Sequence, residues 1–291
     1  MAVPCPKVAG IPTHQAIAMQ LPATSGLRRR ALLQSGAALI LPASPLVFAQ
    51  SRAALPLSVA INRAGKVRAL SQRSSRAYIQ ATLNVLSDKA RETVLSSQRI
   101  IAGNLEELAA SNPPAEVRKL LQALDKHNAA FAATLAGTPR KEAIVEVART
   151  ADEVLESADR LTKGYEGLSQ QGSAKIVNIA GRQRMLSQRA ARGYFLIAAG
   201  QDTPAVRKQL ETARAEFNQG LATLQSAPIS TAAIRNELEL AKSQWLFYET
   251  ALTKTPSPES LQTIATTSER VFEVMDNLTA MYDTAVRDLL S

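Results

Sequence analysis

Cysteine, histidine and aromatic residues are scarce in this chain. Cys5 is the only cysteine, His14 and His127 are the only histidines, and aromatic residues make up 4% of the 291 positions. A single cysteine forms no internal disulfide, and the chain lacks the paired cysteines and histidines of a zinc site. No nucleophile has a base at a catalytic spacing. We therefore predict that the protein is not an enzyme and holds neither a metal nor a cofactor.

The net charge is modest once the start of the chain is set aside. The formal charge is +9, and the first 49 residues carry four cations and no acid, which leaves +5 for residues 50–291. No basic patch is interleaved with aromatic residues, so the sequence does not favour binding to nucleic acid. A small positive balance favours anionic ligands or surfaces as partners.

Long apolar runs are missing except near the amino terminus. Arg29-Arg30 precedes an apolar stretch that ends at Val47-Phe48-Ala49, a small-x-small pattern typical of a signal-peptidase site. The paired arginines resemble a twin-arginine signal. We predict that residues 1–49 are a signal peptide, with Met19 as a plausible true start, and that the mature chain is periplasmic. The alternative is an uncleaved leader that tethers the protein to the inner membrane, facing the periplasm.

The rest of the chain repeats itself. Residues 62–73 read Asn-Arg-Ala-Gly-Lys-Val-Arg-Ala-Leu-Ser-Gln-Arg, and residues 178–189 read Asn-Ile-Ala-Gly-Arg-Gln-Arg-Met-Leu-Ser-Gln-Arg, at a spacing of 116. After one inserted residue the spacing becomes 117. The matched residues at the end of each copy are Asp159, Leu161, Thr162 and Tyr165 against Asp276, Leu278, Thr279 and Tyr282. The sequence therefore predicts two tandem copies of one module.

Both modules are rich in helix-favouring residues, with turn residues at corresponding boundaries. The expected helices lie near 58–86, 88–111, 115–136 and 140–168, then near 173–199, 204–226, 231–253 and 259–289. Short connections make neighbouring helices antiparallel. We predict an all-α fold of two tandem up-down four-helix bundles, at 50–168 and 169–291, packed side by side as a pseudo-dimer within one chain.

The repeated motif gives the first helix of each module an unusual polar face. At about 100° per residue, its members share one arc of the helix. They are Ile61, Gly65, Arg68, Gln72 and Arg76 in the first module and Gly181, Arg184, Gln188 and Arg192 in the second. A glycine inside a helix costs about 1 kcal/mol relative to alanine, which close approach of a backbone or a ligand would offset. The arginine supplies a planar fork of donors, so the face fits either an anion clamp or a tight helix crossing with its arginines in solvent.

Both copies of the motif resemble the signature of the type IV pilus chemotaxis transducer N-terminal (PilJ-like) domain. They are also similar to the P-box of the periplasmic sensor domains of nitrate/nitrite sensor kinases. The resemblance implies a four-helix bundle and, in the nitrate sensors, one ligand clamped between the P-box helices of two subunits. It implies that Arg68 and Arg184 are ligand arginines, with Gly65 and Gly181 beside them.

We therefore expect a periplasmic sensor that binds a small anion, nitrate or nitrite first, between its two motif helices. The sequence shows no second apolar span and no transmitter, so we expect the signal to pass to a separate membrane sensor kinase, chemoreceptor or transporter. The alternative is an adaptor bundle without a small ligand, which docks on a receptor or transporter through its arginine-rich faces.

Overall fold

The computed structural model describes residues 55–169 and 173–290, and all regular secondary structure in these two ranges is helical. The helices are α1 (Leu57–Thr82), α2 (Ser87–Ala110), α3 (Ala115–Leu135), α4 (Ile144–Glu166), α5 (Ser173–Ala198), α6 (Pro204–Gln225), α7 (Ala232–Leu252) and α8 (Pro258–Leu290). A short 3-10 helix, Lys141–Ala143, precedes α4. The all-α prediction is confirmed for this part of the chain. The expected signal peptide and its cleavage site lie outside the described residues.

Local signals set the helix boundaries. The side chains of Thr203 and Thr231 accept hydrogen bonds from the first turns of α6 and α7, as N-cap residues do. The end of α1 differs from the expectation, because this helix stops at Thr82, one turn earlier. Asn84 and Leu86 adopt left-handed backbone conformations there, with φ of 56° and 47°, and a right-handed helix cannot continue through them.

The two motif helices are the central elements. α1 packs against α2, α4 and α5, while α5 packs against α6, α8 and α1. α3 and α7 lie further out, on α4 and α8. Because α1 and α5 are covered on several sides, polar side chains in both are buried. Four of the largest fully buried side chains belong to these helices, and they are Arg68, Arg76, Arg184 and Arg192.

Apolar side chains fill the space around the central helices. In the second repeat Phe217 stacks on Trp245, with ring centroids 3.7 Å apart, and Tyr248 meets the indole edge-on at 5.5 Å. The Tyr248 hydroxyl donates to the backbone oxygen of Ser187 on α5, at 2.7 Å. This aromatic cluster therefore fixes the position of the second motif helix. None of the helices in the described ranges is both long and apolar enough to span a membrane.

Candidate functional site between α1 and α5

Arg68 is buried where the two motif helices meet, with 1% of its surface exposed. Its Nη1 donates to Oδ1 of Asp159, on α4 of the same repeat, at 2.7 Å. Its Nη2 donates to Oδ1 of Asn178, on α5 of the other repeat, at 2.7 Å. One guanidinium group therefore connects three helices and both repeats.

Arg184 has the same arrangement with the two repeats exchanged. Its Nη1 donates to Oδ1 of Asp276 on α8 at 2.5 Å, and its Nη2 donates to Oδ1 of Asn62 on α1 at 2.9 Å. Asp276 and Asn62 are the repeat counterparts of Asp159 and Asn178. Each motif arginine is thus held by a carboxylate of its own repeat and by an amide of the other repeat.

Gly65 and Gly181 make room for these two guanidinium groups. A Cβ atom at Gly65 would lie 3.0 Å from Nη2 of Arg68, and a Cβ atom at Gly181 would lie 3.0 Å from Nη2 of Arg184. The sequence suggested that a second backbone or a ligand approaches the glycines. The nearest group is instead the arginine one turn along the same helix, which folds back over the glycine to reach the asparagine of the other repeat.

Gln72 and Gln188 are fully buried, and each joins a motif helix to the fourth helix of its own repeat. Nε2 of Gln72 donates to the backbone oxygen of Ala151 at 3.2 Å, and Nε2 of Gln188 donates to that of Ser268 at 2.8 Å. Oε1 of Gln188 accepts from Nε of Arg76 at 3.2 Å, whereas Oε1 of Gln72 has no partner among the described residues. Gln72 therefore contributes to packing within its own repeat, whereas Gln188 also contacts the other repeat through Arg76.

Burial acts on both motif arginines, and like charge also acts on Arg68. Burial lowers the pKa of Arg68 to about 10, Asp159 offsets part of this effect, and the charges of Arg182 and Arg184 lower that pKa further. Burial also lowers the pKa of Arg184, which Asp276 offsets in part. The charge of Arg184 therefore disfavours the charged form of Arg68 across the contact, as a smaller effect than burial.

The two aspartates keep their charge in spite of being half-buried or more. Burial raises the pKa of Asp159, but Lys163 and Arg68 lower it more, so the carboxyl titrates below its usual range. Burial raises the pKa of Asp276 as well, and Arg184 is the main group that reverses this effect. Both carboxylates are therefore ionised at neutral pH and compensate the buried arginines.

A second pair of buried arginines also connects the repeats. Arg76 on α1 forms an ion pair with Glu269 on α8, and Arg192 on α5 forms one with Asp152 on α4, with 2.9 Å between Nη1 and Oδ1. Glu269 and Asp152 are counterparts at the repeat spacing. The ion pairs therefore cross between the repeats in both directions.

The sequence-based site contained the motif arginines but missed their acceptors. Those acceptors are Asn62, Asp152, Asp159, Asn178, Glu269 and Asp276. Each of them recurs as an acid or an amide at the repeat spacing. Polar residues that recur at the same place in two copies of a helical module are candidates for buried contacts, and this signal was available in the alignment of the repeats.

A comparison with known protein families gives a match in the second repeat. No curated protein and no solved structure matches the chain. Residues 168–269 match the model of a family described as type IV pili methyl-accepting chemotaxis transducer N-term. The match includes Gly181, Arg184 and Gln188 and ends in α8, at the acid that pairs with Arg76. The PilJ-like resemblance is thereby supported, and this segment is similar to the N-terminal domain of type IV pilus chemotaxis transducers.

Proposed function

We propose that the protein is a periplasmic sensor in which the contact between α1 and α5 responds to a small anion. The similarity of residues 168–269 to a chemotaxis transducer domain supports a role in sensing and signalling. The observation that carries the proposal is the reciprocal pairing of Arg68 with Asn178 and of Arg184 with Asn62. A ligand that engages either arginine must change a contact between the two repeats.

The packing supports two four-helix bundles arranged side by side, at 50–168 and 169–291. Within residues 57–166, α1 contacts α2 and α4, and α3 contacts the same two helices. Within residues 173–290, α5 contacts α6 and α8, and α7 contacts the same two helices. The contact between α1 and α5 then joins the bundles. In this arrangement one chain supplies both halves of a dimer-like sensor.

Nitrate or nitrite is our first proposed ligand, because the separate oxygen atoms of a small planar monoanion can accept hydrogen bonds from both arginines at once. The Nη1 atoms of Arg68 and Arg184 would keep their aspartate partners. At the Nη2 atoms the anion would replace the neutral amide oxygens of Asn178 and Asn62. The anion would also cancel the repulsion between the two arginines, which the amides cannot do. Release of both asparagines would loosen the contact between α1 and α5.

We propose that this change is read by a separate membrane protein, either a sensor kinase, a chemoreceptor or a transporter. α1 and α5 each pack on the fourth helix of their own repeat, so a shift between them would be passed to α4 and α8.

An adaptor without a small ligand is the second candidate. It is favoured by the internal pairing of the arginines, since both Nη atoms of Arg68 already have protein acceptors at 2.7 Å. Buried arginines that already have protein acceptors need no ligand, and removal of either partner would be costly. In an adaptor the arginine pairs would fix the two repeats, and docking would depend on the exposed helix faces.

Thermal unfolding of the full chain in nitrate, nitrite, chloride and sulfate, at matched ionic strength, separates the two candidates. A sensor should gain stability selectively with nitrate or nitrite, by about 2.7 kcal/mol at a hundredfold excess over Kd. Arg68→Lys and Arg184→Lys should remove the selectivity, because lysine keeps the charge but loses the planar fork. Arg118→Lys, at an exposed arginine of α3, is the matched control, and this variant should keep the selectivity for nitrate or nitrite. Equal responses to all four salts would favour the adaptor, and a selective rise that survives both substitutions would place the site elsewhere.

A further inference from the structure

Arg73 and Arg189 occupy equivalent positions in the two repeats, and Arg73 is held by three neighbours. Its Nε lies 3.1 Å from Oε1 and 3.0 Å from Oε2 of Glu269. Its Nη1 donates to the hydroxyl of Ser97 at 3.1 Å. Its guanidinium carbon lies 5.1 Å from the centroid of the Phe272 ring. A carboxylate, a hydroxyl and an aromatic ring therefore surround this arginine.

At Arg189 all three of these neighbours are replaced by smaller side chains. The repeat spacing matches Glu269 with Asp152, Ser97 with Ala213, and Phe272 with Leu155. Asp152 is one methylene group shorter than glutamate, and its carboxylate is used by Arg192, with nitrogen–oxygen distances of 2.9 and 3.0 Å. The buried Nε of Arg189 consequently has no partner in the part of the chain that the structure describes.

Space opens on both sides of Arg189 where these side chains are smaller. A cavity of about 230 Å³ lies between α4, α5 and α6. Its charged lining consists of two arginines, Arg189 and Arg182, and three acids, Asp152, Glu156 and Asp159, and Leu155 adds an apolar wall. Asp152 and Asp159 are already paired with buried arginines, Arg192 and Arg68. A second cavity, of about 290 Å³, is lined by Arg189 together with Ala213 and Lys208. The open volume therefore lies where the other half of the molecule has its glutamate and phenylalanine.

The charge of Arg189 is only partly compensated. Burial lowers its pKa, Arg192 lowers it further, and Asp152 and Glu216 reverse part of the effect. Both of these acids form ion pairs with other arginines, Asp152 with Arg192 and Glu216 with Arg182 at 2.7 Å. A desolvated guanidinium group beside an open cavity can gain a charge-assisted, bidentate contact from an added carboxylate.

We propose that Arg189 binds a small carboxylate ligand, of the size of formate or acetate, in the cavity between α4, α5 and α6. The ligand carboxylate would contact Arg189 as the Glu269 carboxylate contacts Arg73. Leu155 is smaller than its counterpart in the other half, Phe272. A short apolar group on the ligand would fit into the space beside Leu155. This site uses a different arginine from the Arg68 and Arg184 pair, although Asp159, the partner of Arg68, lines the same cavity.

The test is thermal unfolding of the full chain in sodium acetate and in sodium chloride, at pH 7 and matched ionic strength. Acetate should raise Tm above its value in chloride, on the order of 5 °C at a hundredfold excess over Kd, and the increment should grow with the logarithm of the acetate concentration. Arg189→Gln should abolish the increment. Arg73→Gln is the matched control, since it should lower Tm in both salts but keep the increment.

A second variant tests whether a longer side chain at position 152 can take the place of the ligand carboxylate. Asp152→Glu lengthens the side chain by one methylene group. The variant then has glutamate at this position, as the other half has at Glu269. We expect this variant to raise Tm in chloride and to lose the acetate increment. Equal Tm values for the unmodified chain in acetate and chloride, or an increment that persists in Arg189→Gln, would overturn the proposal. The variants that carry this test change Arg189 and Asp152, which the proposed anion sensor does not use, so the two proposals can fail separately.

Discussion

Arg68 and Asn178 lie 110 positions apart in the sequence and share a 2.7 Å hydrogen bond across the contact between α1 and α5. The counterpart bond, from Arg184 to Asn62, runs in the opposite direction between residues 122 positions apart. Neither repeat therefore satisfies its motif arginine by itself. Since an unpaired buried guanidinium group is costly, each repeat stabilises the other.

Removal of one aspartate should show how strongly the buried arginines depend on their partners. Asp276→Asn leaves the charge of Arg184, which is fully buried, without its carboxylate. We expect a loss of about 3 kcal/mol in the free energy of unfolding, measured by urea denaturation. Asp125→Asn is the control at an exposed position of α3 and should change stability by less than about 0.5 kcal/mol. Equal effects at the two positions would mean that Arg184 is compensated by other groups.

Stability should decrease in acid. Burial raises the pKa values of Asp159, Asp276 and Glu269, but the neighbouring cations lower them more, so all three lie below their ordinary values of 3.8, 3.8 and 4.5. On acidification the unfolded chain takes up these protons first. The stabilisation by these three carboxylates is therefore complete at a pH above their ordinary pKa values. It is lost as the pH falls through their lower pKa values in the folded state.

Urea denaturation midpoints between pH 7 and pH 2.5 would measure this loss. The slope of stability against pH should be shallower in Asp276→Asn, because one of the three titrating carboxylates is gone. A stability that stays constant down to the lowest pH would contradict the assignment of these carboxylates as partners of the buried arginines.

Alanine substitutions should distinguish the motif glycines from an ordinary helical glycine. A Cβ atom at Gly103 of α2 would meet nothing within 4 Å, so Gly103→Ala should stabilise the fold by about 1 kcal/mol through helix propensity. Gly65→Ala and Gly181→Ala should not show this gain, because the added methyl group pushes the guanidinium group away from the asparagine of the other repeat. Urea denaturation of the three variants provides the measurement. A gain at Gly65 equal to that at Gly103 would show that the arginine can move aside freely.

Export can be tested at the start of the chain. Amino-terminal sequencing of protein from the periplasm should begin at Gln50, the residue after the expected cleavage site. Replacement of Arg29 and Arg30 by lysine should retain the precursor in the cytoplasm if the twin-arginine route is used. Normal export of this variant would exclude that route, and full-length protein in the membrane fraction would support the anchored alternative.

Helix positions could be predicted well because the signals for them are local. α5 and α6 begin where the sequence placed them and end one residue earlier, at Ala198 and Gln225. Helix propensity, proline and capping threonines act within a few residues, and the repeat shows each signal twice. The end of α1 was misplaced because the left-handed turn at Asn84 and Leu86 carries no glycine to mark it.

By itself, the sequence determined the all-helical fold and most helix positions, and it singled out Arg68 and Arg184. Only the tertiary structure decided which acceptor each arginine uses. Arg73 and Arg189 both follow Ser-Gln in the motif, yet one is fully paired and the other is left beside a cavity. The physical reason is that the partners of a buried guanidinium group come from neighbouring helices that are distant in the chain. Three smaller neighbours, Asp152, Ala213 and Leu155 in place of Glu269, Ser97 and Phe272, accompany this difference.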